Sequence, residues 1–147
     1  MRVSVVGGGD ATERDRERAE RVGEHLAERG HTLVCGGRGG VMEAACRGAK
    51  RADGHTIGIL PGEDAADANE YVDVTICTGI GHARNALVVL NGDAVVAVDG
   101  GGGTLSELGF AAVYERPVAG LGTFAVPHVE SVESPDAAVE YVEAETS

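Results

Sequence analysis

Ala94-Val95-Val96-Ala97-Val98-Asp99-Gly100-Gly101-Gly102-Gly103-Thr104-Leu105-Ser106-Glu107 runs from an unbroken apolar segment into four glycines and then into Thr-x-x-Glu. An apolar run of this length, rich in β-branched residues and without polar alternation, suits a strand buried on both faces. The segment after the glycines reads as a helix over about Leu105 to Tyr114. A strand, a glycine loop and a helix N-terminus in that order make a seat for an anion. The helix start leaves backbone N–H groups unpaired and partly positive, and glycine lets a phosphate come close. The plainer alternative is a tight turn in which Thr104 and Glu107 form a capping box. Glu107 suits either arrangement.

Outward from that stretch, short apolar runs alternate with helical patterns. Strands are expected at Arg2–Val6, Thr32–Cys35, Thr56–Leu60, Val72–Cys77, Val118–Leu121 and Val129–Val132. Helices are expected at about Glu13–Arg29, Val41–Ala52, His82–Leu90 and Asp136–Glu143, with an apolar stripe of Ala83, Ala86, Leu87 and Leu90 on the third of these. Ser134-Pro135 reads as an N-cap followed by proline at the first helical position. The phrase Gly30-His31-Thr32-Leu33 returns as Gly54-His55-Thr56-Ile57, a helix stop followed by a strand start. Successive βα units of this kind predict an α/β fold: a Rossmann-like doubly wound parallel sheet of six to seven strands, helices on both faces, one domain over residues 1–147. Ligands bind such sheets at the carboxyl edge, near the point where strand order reverses. Gly7-Gly8-Gly9, Gly36-Gly37-Arg38-Gly39-Gly40, Thr78-Gly79-Ile80-Gly81 and the four-glycine loop all fall on that edge. The candidate phosphate contacts are therefore Gly8, Gly9, Gly37, Arg38, Gly39, Gly100, Gly101, Gly102, Gly103 and Thr104.

Composition narrows the function. Twenty-four Asp and Glu against 12 Lys and Arg give a net charge of −12, which argues against nucleic acid or an acidic membrane as partner. Lys50 is the only lysine, aromatics are scarce, and the carboxylate-rich surface suits a salty, halophilic cytoplasm whose ions screen self-repulsion. No run is long and apolar enough for a membrane helix and no leader is visible, so a cytoplasmic location is expected. Cys35, Cys46 and Cys77 show no Cys-x-x-Cys spacing and read as small core residues. No histidine pair has helical metal spacing, so neither metal nor resident cofactor is called for. Lys50 lies between Ala49 and Arg51, so no Walker A loop exists. The dinucleotide fingerprint fails at Thr12 after the first strand and at Met42 after the second.

Arg84 stands out because a cation in the first helical turn opposes the helix dipole. It is either a surface ion-pair partner or, at the ligand edge, an anion clamp and a companion to Glu107.

These residues resemble the LONELY GUY family. Gly100–Glu107 is similar to its Gly-Gly-x-Gly-Thr-x-x-Glu motif, Leu33–Met42 resembles its other glycine loop in a shorter form, and Arg84 falls where the family carries an arginine. The resemblance implies a Rossmann-like dimer or higher homo-oligomer that releases the base from a nucleoside 5′-monophosphate. In that scheme Gly101, Gly103 and Thr104 hold phosphate, while Arg84 and Glu107 act at the glycosidic bond, where a carboxylate stabilises the oxocarbenium-like transition state. Three departures stand out: Asp99 for the usual proline, Asn85 for the usual lysine, and the shorter loop. The compact form resembles a branch that includes molybdenum-cofactor carriers, which bind a phosphorylated pterin without turning it over. The expected ligand is small and phosphorylated, of nucleotide or pterin type.

Overall fold

The apolar runs lie side by side in one parallel sheet, and the amphipathic segments between them cover its two faces. A computed structural model describes residues 1–147. The elements are β1 (Arg2–Gly7), α1 (Glu13–Glu28), β2 (Thr32–Cys35), α2 (Val41–Arg51), β3 (Thr56–Leu60), β4 (Val74–Cys77), α3 (Arg84–Leu90), β5 (Ala94–Val98), α4 (Gly102–Val113), β6 (Val118–Leu121), β7 (Val129–Ser131) and α5 (Pro135–Thr146). Spatial order is β4-β3-β2-β1-β5-β6-β7, seven strands in all. Every pair is parallel. The expected Rossmann-like architecture is therefore what the chain adopts.

β5 is buried at every position, as its continuous apolar run requires. On one face Val3, Val5, Leu33, Val96 and Val98 pack against α1, α2 and α5. On the other Val6, Val34, Ile59, Val95 and Ala97 pack against α3 and α4. Hydroxyl caps fix two helix starts. Thr12 Oγ1 accepts from the Asp15 N–H at 3.2 Å, and Ser134 Oγ accepts from the Ala137 N–H at 3.1 Å. α1 and α2 meet backbone to backbone. A Cβ on Gly23 would lie 1.9 Å from the Ala45 carbonyl oxygen, and one on Gly48 would lie 1.9 Å from that of Glu20.

The structure corrects several boundaries and faces. α4 begins at Gly102, before the expected Leu105. Two turns of 3-10 helix, Ala65–Asp67 and Gly81–Ala83, occupy segments expected as loop and as α-helix. α3 therefore starts at Arg84, and it buries Asn85, Val88 and Val89 while Leu90 is exposed. The buried set of Asn85, Val88 and Val89 falls about half a turn round the helix from the expected stripe. β4 starts at Val74 and forms the sheet edge, which leaves Cys77 exposed; only Cys35 and Cys46 are core residues.

Candidate functional site

The chain lays β1 to β4 outward in one direction, then returns to place β5, β6 and β7 on the other side of β1. Strand order reverses between β1 and β5, so the loops leaving these strands diverge and open a crevice at their carboxyl ends. A cleft of about 220 Å³ occupies this place. Its walls come from the loop after β1 (Gly7, Gly8, Gly9), the end of β2 with α2 (Gly36, Met42), the start of α3 (His82, Arg84, Asn85) and the start of α4 (Gly101, Gly103, Thr104, Glu107).

The four-glycine loop is held open from within. Asp99 and Gly100 adopt φ of 50° and 132°. A Cβ at Gly100 would lie 2.4 Å from Cβ of Thr104, so only glycine lets the loop fold back over that side chain. Gly101 is the N-cap of α4 and no side chain caps the helix. The Leu105 N–H reaches the Gly101 carbonyl at 3.0 Å, while the N–H groups of Gly102, Gly103 and Thr104 donate to no protein group. Thr104 and Glu107 therefore do not form a capping box. The positive end of the helix faces the cleft uncapped.

Glu107 is 7% exposed and accepts no hydrogen bond from the protein. Burial pushes its carboxyl up to about 8, with Arg84 pulling the other way. Arg84 is half-buried. Its Nη2 donates to the Gly36 carbonyl at 3.4 Å and its Nη1 to Asn85 Oδ1. Its buried Nε has no partner. Burial lowers the Arg84 pKa, and Arg38 adds to that, while Glu107 opposes it. The guanidinium and carboxyl act on each other through space without forming an ion pair. Asn85, 3% exposed, links the two elements: it accepts from Arg84 and its Nδ2 donates to Ser106 Oγ at 3.2 Å.

Of the residues expected from sequence, Gly8, Gly9, Arg84, Gly101, Gly103, Thr104 and Glu107 surround this one cleft. Gly37, Arg38 and Gly39 do not line it. Gly37 is buried against Leu60 and Gly58, and exposed Arg38 contributes its carbonyl to Asn69 Nδ2 at 2.9 Å. Gly100 faces an adjacent hollow with Asp99 and Thr123, and Gly102 lines neither. Gly7, Gly36, Met42, His82 and Asn85 also line the cleft, although none was among the contacts expected from sequence. Gly7 and Gly36 were within reach, since each ends or follows a strand at the ligand edge.

A family model, the SLOG cluster4 family, matches residues 1–147. The chain belongs to the SLOG cluster4 family. Among relatives of this SLOG chain, an uncharacterised protein of Archaeoglobus fulgidus is 41% identical over 142 residues, 96% of this chain and 93% of that one. The cytokinin riboside 5′-monophosphate phosphoribohydrolase of Mycobacterium tuberculosis is 32% identical over 113 residues, 69% of this chain. The match spans 59% of that enzyme's length. Among solved structures, the molybdenum cofactor binding protein of Rippkaea orientalis superposes on the SLOG chain with a TM-score of 0.90 at 36% identity, covering 99% of this chain and 96% of that one. The molybdenum cofactor carrier protein of Chlamydomonas reinhardtii gives 0.87 at 34% identity, covering 97% and 98%. Both halves of the resemblance read from the motifs, to phosphoribohydrolases and to carriers, are thus present among its relatives.

Proposed function

We propose that this chain binds a small phosphorylated ligand of nucleotide or phosphopterin type in the cleft between β1 and β5. The phosphate sits on the uncapped amides of Gly103 and Thr104, and Gly8, Gly9 and Gly101 keep the approach clear. Arg84 completes the anion seat. The observation that carries this reading is that donors at one cleft have no partner in the protein: the Gly103 and Thr104 amides, and the buried Nε of Arg84, whose side chain lines it. The end-to-end likeness to molybdenum-cofactor carriers favours holding such a ligand over transforming it.

Buried Glu107 beside Arg84 supports a second reading, hydrolysis of a nucleoside 5′-monophosphate to ribose 5-phosphate and free base. Cleavage of the N-glycosidic bond builds positive charge on the sugar. The Glu107 carboxylate, once ionised, stabilises that charge and orients water, and Arg84 holds the phosphate end. One experiment in high salt separates the readings. AMP is added, thermal stabilisation reports binding, and ribose 5-phosphate reports turnover. Binding is expected for the unmodified protein and for Glu107→Gln, and to weaken at least tenfold, about 1.4 kcal/mol, in Arg84→Ala. Ribose 5-phosphate released by the unmodified protein and lost in Glu107→Gln establishes hydrolysis. Binding without product leaves the carrier reading. No stabilisation by AMP, by other nucleoside monophosphates or by a phosphopterin removes both.

The same reading includes a homo-oligomer in a salt-rich cytoplasm. Leu90 on α3 and Leu105 and Val113 on α4 are 43%, 47% and 72% exposed on one side of the sheet, an apolar face that suits a second copy of the chain. Light scattering is expected to give at least a dimer mass, and Leu105→Glu with Val113→Glu a monomer.

A further inference from the structure

The reading of the cleft makes no use of two buried thiols behind its wall. Cys35 ends β2 and Cys46 lies in α2; both are fully buried, and their Sγ atoms are 3.5 Å apart. The Gly37 N–H donates to Cys35 Sγ at 3.3 Å. The neighbouring residue, Gly36, lines the cleft with Met42 and accepts from Arg84 Nη2 through its carbonyl. We propose that Cys35 and Cys46 are a redox pair that closes to a disulfide under a hydroperoxide, and that closure shifts the Gly36 carbonyl and with it Arg84.

The geometry supplies each part of the chemistry. A disulfide needs its sulfurs about 2.05 Å apart, so these must approach by roughly 1.5 Å. Closing that gap requires rotation of both side chains together with a backbone shift at β2 or α2. The two thiols differ in role. Cys35 is drawn toward the thiolate by the Cys46 hydrogen bond, the Gly37 N–H and the charge of Arg84, against the cost of burial. Cys46 is pushed up by its sulfur contact with Cys35 and by burial. Cys35 is therefore the attacking sulfur and Cys46 the resolving one. The Cys35 thiolate attacks one peroxide oxygen, the O–O bond breaks, and the released hydroxide takes up the proton lost by Cys35, leaving a sulfenic acid and water. Cys46 then attacks the Cys35 sulfur and the S–O bond breaks. The leaving hydroxide carries off the Cys46 proton as a second water. Two electrons pass from the sulfur pair to the peroxide. Neither sulfur is exposed, so the oxidant must be as small as hydrogen peroxide, and it reaches them only when the wall of Gly36 and Met42 opens.

The test uses Cys77→Ser, which removes the exposed thiol and leaves the pair. After hydrogen peroxide, quenching, denaturation and alkylation, the expected result is a mass loss of about 2 Da for the two hydrogens, with no alkylated cysteine. Peptide mapping joins the Cys35 and Cys46 peptides, separates this change from any sulfoxide at Met42, and shows both thiols regained with dithiothreitol. In the same variant the Arg84 Nε–H cross-peak, assigned by its loss in Arg84→Lys, is expected to move on oxidation. Two thiols still alkylatable at a peroxide dose that oxidises Cys77 in the unmodified protein would overturn the disulfide. So would a stable gain of about 32 Da on Cys35, a sulfinic acid. An unmoved Arg84 signal in the fully oxidised protein would overturn the link to the cleft. These readouts need no ligand, so they stand apart from the fate of the proposed function.

Discussion

At the scale of single residues, Glu107 sets the pH behaviour. Its carboxyl belongs near 4.5 in the unfolded chain and rises to about 8 in the fold, because burial disfavours the charge more than Arg84 restores it. The native state thus holds the proton more tightly than the unfolded state. Stability from this group is complete below about 4.5 and drains away as pH rises through about 8. Relative to the unmodified protein, Glu107→Gln should be near neutral at the acid end and more stable at the alkaline end. The difference should be on the order of a few kcal/mol, read from urea midpoints across the range. A constant difference would mean that Glu107 does not titrate there. Hydrolysis that needs the carboxylate should rise as pH passes through about 8, where the folded-state carboxyl ionises. Asp99 accounts for one departure from the LONELY GUY motif. Its φ of 50° cannot be adopted by proline, whose ring holds φ near −65°, so this loop leaves β5 by another path.

At the scale of elements, α1 and α2 touch most closely where Gly23 and Gly48 face carbonyls of the opposite helix. Gly48→Ala is expected to destabilise the fold by about 1–3 kcal/mol despite the better helix propensity of alanine, measured by chemical denaturation. A neutral outcome would mean that the helices can separate freely. Nothing in the local sequence marked these glycines, since a close approach exists only once two distant segments meet. The strands were legible because a buried parallel strand is a continuous apolar run, and β3 and β6 fall where those runs lie. The start of α4 was not, because glycines weigh against a helix even where the uncapped turn is what faces the ligand edge. The phase of α3 was lost for a different reason. Ala, Leu and Val occupy nearly every position after Asn85, so periodicity had nothing to distinguish, and the inward Asn85 was overlooked. The glycine loops were found as a group, yet which loops line the cleft depends on strand order: β1 and β5 are neighbours, while β4 lies at the sheet edge.

At the scale of the whole molecule, a net charge of −12 on a chain of this size destabilises the compact state unless counter-ions screen it. Thermal unfolding should shift upward by several degrees between dilute buffer and about 2 M KCl, where the Debye length is shorter than the spacing of surface charges. A transition that ignores KCl would leave the composition without that explanation. The position of β5 has a consequence for biosynthesis. β1 is made first but receives β5 only after Val98 has left the ribosome, since Val3 pairs with Ala94 and Gly7 with Val98. Until then a nascent chain can assemble β1 to β4 and the helices between them, with one flank of β1 unpaired and Val95, Val96 and Ala97 missing from the core. The cleft between β1 and β5 has no second wall at that stage. On the function proposed above, ligand capture waits until synthesis has passed the four-glycine loop, and a ribosome stalled before it carries an unpaired strand edge at β1.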